Sequence, residues 1–307
     1  MRQTDTSNLN PLRPPDFVAV GHVTKDLLAD GGFLIGGTAT YASVTARNLG
    51  KQAAIVTSAS ADLALAERLP GVQISLRPAQ ATTAFENIYE GGRRHQFVRA
   101  VAEPLTAADV PEAWRRAPIV LLGPLVRELG AEMLSVFPGA LLGVTAQGWM
   151  RRWNSDGLVH DRRWDEAHAV LPLVDVLFFS YEDVGYDLER LKAYASLAKT
   201  AVVTHSHLGA IVYHGGRSQW FPGFQTKEVD PTGAGDVFAA AYMVAYHEMG
   251  DPFEPARFAN CTASLSIEGR SISTIPSREQ VEARLRENRL VDDLTLAERE
   301  MIDSVLI

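Results

Sequence analysis

The sequence contains Val229-Asp230-Pro231-Thr232-Gly233-Ala234-Gly235-Asp236-Val237-Phe238, a glycine-rich turn between a β-like segment and a helical pattern that runs from Val237 to Met249. The order strand, glycine turn, helix is typical of a phosphate site, because the first N–H groups of a helix lack intrahelical partners and carry the positive end of its dipole. Gly233, Ala234 and Gly235 are small enough for a phosphate to approach the backbone. The turn is therefore predicted to be an anion hole.

Asp236 follows this turn at the start of the helix. A carboxylate in that place is often an N-cap, and this interpretation stands beside a catalytic one. Phosphoryl transfer needs donors that stabilise charge on the transferring group and a carboxylate that accepts the proton of the attacking hydroxyl. Since both lie within one turn, Asp236 is predicted to be the base. The sequence has no G-x-x-x-x-G-K-[ST] motif, so the site is not the usual P-loop.

Short apolar runs and helical patterns alternate along most of the chain. The strand candidates are Phe17–Gly21, Ala54–Thr57, Ile119–Leu122, Val176–Phe179 and Ala201–Thr204. The helix candidates are Ala39–Leu49, Ala61–Leu69, Leu188–Leu197 and Val237–Met249. Alternation predicts βαβ units and a parallel sheet flanked by helices, with ligands at the carboxyl ends of the strands.

Two segments, at about 27–36 and 72–101, break this rhythm with β-like runs around turn glycines. They are expected to pair into a second, small sheet that covers the ligand edge of the main sheet as a lid. The alternative is a set of irregular surface hairpins.

Composition excludes several classes of protein. The formal net charge of −8 argues against a nucleic-acid-binding surface, and no apolar stretch is long enough to span a membrane. A single cysteine, Cys261, excludes an intrachain disulfide and fits a reducing compartment. The polar, Pro-rich residues 1–13 are expected to be a disordered leader, and residues 14–307 one domain. A cytoplasmic location is expected.

The stretch Asp230 to Asp236 resembles the carboxyl-terminal signature of the ribokinase-like (PfkB) carbohydrate kinases. A second stretch, Ile35-Gly36-Gly37-Thr38-Ala39-Thr40-Tyr41-Ala42, is similar to the amino-terminal motif of that family, and the spacing from Gly21 to Asp26 resembles its first strand and the Asp after it. The resemblance implies a doubly wound α/β fold with a β-sheet lid, Mg-ATP as the donor and a hydroxyl as the acceptor.

The resemblance also implies roles for individual residues. Its substrate-binding candidates are Asp26, Gly36, Gly37, Tyr41, Gln147 and Arg151. Its nucleotide-side candidates are Asp230, Thr232, Thr204, Gly209, Asn260 and Ser264. Either Asp183 or Glu182 is expected to organise Mg²⁺, and dependence on a monovalent cation is left open. Ser180, Ser206 and Tyr41 stand where many relatives have Asn, Gly and Asn.

The acceptor is expected to be a sugar or, by similarity to the myo-inositol kinase branch, a cyclitol. A nucleoside kinase on the same fold and a catalytically silent ligand-binding or regulatory protein remain alternatives. A homodimer through the edge of the lid sheet is a further expectation.

Overall fold

The computed structural model describes residues 14–90 and 93–306, so the predicted leader and the predicted turn glycines Gly91 and Gly92 lie outside the described residues. The strands are β1 Phe17–Val20, β2 Thr24–Leu27, β3 Phe33–Gly36, β4 Ala53–Ala59, β5 Gln73–Pro78, β6 Thr83–Glu90, β7 Arg93–Ala100, β8 Ile119–Leu122, β9 Leu141–Thr145, β10 Arg151–Trp153, β11 Val159–Asp161, β12 Val176–Ser180, β13 Thr200–Thr204, β14 Ala210–His214 and β15 Arg217–Phe221. The α-helices are α1 Thr38–Asn48, α2 Leu65–Arg68, α3 Ala167–Val170, α4 Leu188–Leu197, α5 Ala234–Met249, α6 Pro255–Ser266, α7 Arg278–Glu287 and α8 Leu296–Val305.

The large sheet has the strand order β15-β14-β13-β12-β9-β8-β1-β4-β5. Strands β13 through β5 in this order are parallel, and β14 and β15 add an antiparallel edge. The sheet is flanked by helices, as the alternation predicted. Because the parallel strands end at the same edge, the loops after β1, β8, β9, β12 and β13 gather there.

Both faces of this sheet are buried, which is why its central strands are continuously apolar. On β1, Phe17 and Ala19 belong to the apolar cluster that includes α1, α5 and α6. Val18 and Val20 point to the opposite face and belong to the cluster that includes Trp114 and helix α4. The result is a three-layer domain in which α5 presents its amino-terminal end at the ligand edge.

A separate small sheet has the order β3-β2-β6-β7, as the lid prediction requires. Its first hairpin begins at Thr24 rather than Leu27. The prediction that residues from 72 onward belong to this sheet was wrong in part, because β5 (Gln73–Pro78) pairs in parallel with β4 at the edge of the large sheet. An edge strand alternates polar and apolar residues much as a hairpin strand does, so the pattern did not distinguish them.

Two helix predictions also need correction. The pattern Ala61–Leu69 is not one helix, since Ala64 has a left-handed backbone (φ 47°) that separates a 3₁₀ turn from α2. The helix predicted from Val237 begins earlier, at Ala234, with Gly233 as its N-cap.

Among the described residues, no helix is both long enough and apolar enough to cross a membrane.

Candidate active site

Asp236 is the third residue of α5, so it lies within the first helical turn and is not the N-cap. Thr38, the first residue of α1, donates a hydrogen bond from Oγ1 to Asp236 Oδ1 at 2.7 Å. Gly123, after β8, makes room for this threonine, because a Cβ there would lie 2.2 Å from Thr38 Cγ2. One carboxylate oxygen is thus held by Thr38, which leaves the other oxygen for a ligand.

Burial is the main reason that the pKa of Asp236 is raised to about 6. The hydrogen bond from Thr38 and the positive charge of Arg151 oppose this rise, whereas the charges of Asp183 and Asp26 add to it. A carboxylate with a pKa near 6 is ionised at neutral pH and is a stronger base than an ordinary aspartate.

The glycine turn has two different sides. Gly233 has a left-handed backbone (φ 80°), and a Cβ there would lie 2.5 Å from the ring of Tyr41. A Cβ on Gly235 would meet nothing within 4 Å, so its side of the turn is open. Ala234 donates its N–H to the carbonyl of Pro231 at 3.2 Å, which removes it from the predicted set of phosphate donors. The N–H groups of Gly235 and Asp236 remain as donors by helix geometry.

Asp26 lies on lid strand β2 and accepts a hydrogen bond from Thr24 Oγ1 at 3.1 Å. A Cβ on Gly36 would lie 2.3 Å from Asp26 Oδ2. From the sequence, Gly36 was expected to let the substrate approach the backbone closely. In the structure, the absence of a side chain at Gly36 makes room for Asp26 instead. Burial raises the pKa of Asp26 to about 6, and the charge of Asp230 adds to the rise. Gly37 has φ 87°, and a Cβ there would lie 2.5 Å from the His22 carbonyl oxygen.

Tyr41 is only 3% exposed, and its ring supports the turn at Gly233. Burial raises the pKa of its phenol, and Asp26, Asp230 and Asp236 add to that rise. The structure therefore places this predicted substrate residue among the site carboxylates, underneath the turn rather than on an open surface.

Four predicted residues from two parts of the chain line one cavity of about 160 Å³: Gln147, Arg151, Glu182 and Asp183. Sequence reasoning did not identify the other residues that line it, which are Gln96, Met150, Val159, His160 and Asp161. Gln96 lies on lid strand β7, Met150 immediately precedes β10, and the other three lie on β11. The β10–β11 hairpin pairs through Leu158 with Phe97 of the lid. The lid and the hairpin thus share one wall of the cavity.

Asp183 is anchored at the end of β12. Its Oδ2 accepts hydrogen bonds from the backbone N and Oγ of Ser180, both at 2.8 Å, and its Oδ1 accepts one from Gln147 Nε2 at 2.9 Å. Ser180 thereby closes the turn with its hydroxyl and its backbone N–H. No cluster of three or more His, Cys, Asp or Glu side chains suited to a metal occurs in residues 14–90 and 93–306.

The nucleotide-side loop follows β13. Ser206 has a left-handed backbone (φ 53°), so a serine adopts the conformation for which glycine is the usual residue. Gly209 (φ 96°) leaves room for the carbonyl oxygen of Phe221, which would lie 2.2 Å from a Cβ. Thr204, the last residue of β13, lies opposite Ser180 in the strand register. Between Thr204 and Gly209 the chain thus makes one tight 3₁₀ turn, Ser206–Leu208.

Two other nucleotide-side candidates have internal partners. Asn260 Nδ2 donates to the carbonyl oxygens of Phe221 and Pro222, at 2.9 and 3.2 Å, and Ser264 Oγ donates to the carbonyl of Cys261 at 2.8 Å. Both side chains are 7% exposed. Asp230 accepts a hydrogen bond from the N–H of Thr232, which orders the turn before Gly233.

Sequence reasoning missed a buried carboxylate at the ligand edge. Glu128, 3% exposed, accepts hydrogen bonds from the backbone N–H groups of His22, Leu125 and Val126, at 2.8 to 3.1 Å. It joins the loop after β1 to the loop after β8. No local pattern marks such a residue, because its partner His22 lies far away in the sequence.

Thr38→Val should raise the pKa of Asp236 further, because the variant keeps the shape of the side chain but loses the donor that favours the charged carboxylate. We expect the acid limb of the pH–rate profile to move to higher pH and turnover at neutral pH to fall by roughly tenfold. Thr38→Ser retains the hydroxyl and is the matched control. An unchanged profile in Thr38→Val would show that the hydrogen bond has no role in catalysis.

Comparison with known proteins shows what this chain is similar to. Residues 143–278 match the model of the pfkB family carbohydrate kinase. A cytidine kinase of Thermococcus kodakarensis is 26% identical over 78% of this chain and 91% of its own length. A pyrophosphate-dependent kinase in the ribokinase family, complexed with a pyrophosphate analogue and myo-inositol, has a TM-score of 0.72, 25% identity and coverage of 87% of this chain and 99% of that chain. The Arabidopsis thaliana ribokinase complexed with ribose and ATP has a TM-score of 0.68 and 19% identity, over 89% and 99% of the two chains.

Proposed function

Because this chain carries a PfkB family carbohydrate kinase domain, we propose that it transfers a phosphoryl group from Mg-ATP to a hydroxyl of a small sugar or cyclitol, with Asp236 as the base. One observation carries the proposal: a carboxylate oriented by Thr38 lies in the same helical turn as the free N–H groups of Gly235 and Asp236. A base and an anion hole thus meet at one place.

In the proposed mechanism Asp236 Oδ2 accepts the proton of the acceptor hydroxyl as that oxygen attacks the phosphorus atom. The N–H groups at the start of α5 stabilise the charge on the transferring group. Asp26 accepts hydrogen bonds from other hydroxyls of the acceptor and positions it. The lid excludes water, which would otherwise compete as the acceptor.

Asp183 and Glu182 fit a Mg²⁺ ion that is held mainly by phosphates. Mg²⁺ in kinases usually takes only one or two carboxylates and completes its shell with phosphates and waters. Asp183 is fixed by Ser180 and Gln147, and Glu182 lines the same cavity. When bound there, the ion would neutralise the negative charge of the phosphates.

The cavity lined by Gln147, Arg151 and Asp183 has many polar groups in its walls. Such walls suit a ligand with many hydroxyl or phosphate oxygens. The similarity to a cytidine kinase keeps a nucleoside as the alternative acceptor.

Pyrophosphate is a second candidate for the donor. The predicted adenine-side groups Asn260 Nδ2 and Ser264 Oγ donate to carbonyls of the protein, so their donor capacity is engaged without a nucleotide. The positive charge of Arg151 acts on Asp236. A donor as short as pyrophosphate would place its phosphates near these two side chains. A neighbour of the same fold is pyrophosphate-dependent.

A screen of sugars, cyclitols and nucleosides against ATP and pyrophosphate tests the proposal. Product formation is followed by ³¹P NMR, with Asp236→Asn as the blank. We expect one class of acceptor to be phosphorylated by the wild type and not by the blank. If donor binds but no acceptor is phosphorylated, the catalytically silent alternative gains support.

A further inference from the structure

Thr145 is a buried hydroxyl at the ligand edge to which sequence reasoning gave no role. It is the last residue of β9 and is 8% exposed. Its Oγ1 has no hydrogen-bond partner among the described residues. Buried hydroxyls in folded proteins nearly always have a partner, so one without a partner needs an explanation.

The side chain of Thr145 faces helix α5. A Cβ on Gly143, two residues earlier on the same strand, would lie 2.7 Å from Met243 Sδ of that helix, and alternate strand residues face the same way. Phe178, opposite Thr145 in the register of β12, has its ring 6.4 Å from that of Phe238 and 5.3 Å from that of Tyr242. Thr145 therefore faces the amino-terminal half of α5, the half that carries Asp236.

Thr145 also lies beside the groups that orient the proposed base. Val144 pairs with Leu122 on β8, so Thr145 is level with Gly123 on the next strand. Gly123 contacts Thr38, whose hydroxyl is already donated to Asp236. Of the two threonine hydroxyls at this place, that of Thr145 is the one left for a ligand.

We propose that Thr145 Oγ1 donates a hydrogen bond to the phosphoryl group during its transfer, opposite the N–H groups of α5. This inference rests on the proposed function. The acceptor oxygen forms a bond to phosphorus, the donor's bridging P–O bond breaks, and the acceptor's proton moves to Asp236; Thr145 keeps its own proton. A neutral hydroxyl suits this place because it stabilises negative charge without competing with Asp236 for the proton.

Thr145→Val separates this role from a structural one, because valine retains the shape of threonine. We expect kcat to fall roughly 100-fold, as for loss of one donor in an oxyanion hole, while KM for the acceptor stays nearly constant. The Tm should stay the same or rise, because a buried hydroxyl without a protein partner is removed. Thr145→Ser should retain most of the activity. A lower Tm with kcat unchanged would show a structural hydroxyl and overturn the proposal.

Binding measurements test the same contact without an acceptor. By calorimetry with Mg²⁺, Thr145→Val should bind the non-hydrolysable ATP analogue AMP-PNP roughly tenfold more weakly than the wild type, with unchanged affinity for ADP, which lacks the transferable phosphate. If pyrophosphate is the donor, imidodiphosphate takes the place of AMP-PNP and inorganic phosphate takes the place of ADP. If the wild type binds neither donor analogue, the proposed function fails. If it binds one and the variant binds it equally well, only the role of Thr145 is overturned.

Discussion

Asp236→Asn is expected to lower kcat by roughly 10²- to 10⁴-fold, the usual contribution of a positioned general base. Asparagine retains the size of aspartate and an acceptor for the Thr38 hydroxyl, but it does not take up the proton of the attacking hydroxyl. Donor affinity should change little, because the N–H groups of α5 are unaltered. Steady-state kinetics and calorimetric titration of the donor measure the two effects separately.

The same substitution should stabilise the protein above about pH 6. The folded-state pKa of Asp236 is raised from 3.8 to about 6, so ionisation of this group costs stability as the pH rises through that interval. At about pH 8 we expect the Tm of Asp236→Asn to exceed that of the wild type by on the order of 3 °C, and near pH 4 to equal it.

Asp303→Asn, which removes an exposed carboxylate on α8, is the control for net charge. It should alter neither kcat nor Tm. If Asp236→Asn retained turnover similar to that of the wild type, Asp236 would not be the base.

Gly233→Ala is expected to disrupt the anion turn and to destabilise the fold. The new methyl group would lie 2.5 Å from the Tyr41 ring, at a residue whose φ is 80°. Left-handed strain and overpacking together should cost about 2–4 kcal/mol. We expect the Tm to drop by several degrees and transfer to fall by more than about 100-fold, since displacement of the first turn of α5 also moves Asp236.

Gly235→Ala is the matched comparison within the same turn. A Cβ there meets no atom within 4 Å, and alanine favours a helix, so stability should be retained or improved. The methyl group nevertheless occupies the open side of the turn, so KM for the donor should rise by roughly tenfold if phosphate approaches there. A Gly233→Ala protein as stable as the wild type, or an unchanged donor KM in Gly235→Ala, would contradict this description of the turn.

Five strands of the large sheet were predicted because they are buried on both faces and read as uninterrupted apolar runs, as in Ile119–Leu122. Strand β5 was assigned to the wrong sheet, since an edge strand carries the alternating pattern of a lid strand. The break at Ala64 was missed because a left-handed alanine has no signal in the sequence. Local periodicity predicts which segments are regular but not which partner each one finds.

The residues of the candidate site form the same two groups: those that a local sequence pattern predicts and those that only the fold identifies. Asp236 and its turn were predicted because all their parts are adjacent in sequence. Thr38 lies 198 residues from Asp236, and its hydrogen bond to the carboxylate follows only from the fold. Glu128 and Thr145 are likewise identified only by burial and by their partners or the lack of one.

The pH dependence of kcat/KM tests the central claim, that Asp236 in its charged form is the base, most directly. Asp26 has a similarly raised pKa, so the profile should be measured in Asp26→Asn as well as in the wild type. We expect kcat/KM to rise with pH and to level off above about pH 6 in both proteins, because this ratio reports ionisation of the free enzyme. A profile that stays flat to about pH 5 in the wild type, or an acid limb that disappears in Asp26→Asn, would contradict the assignment of Asp236 as the base.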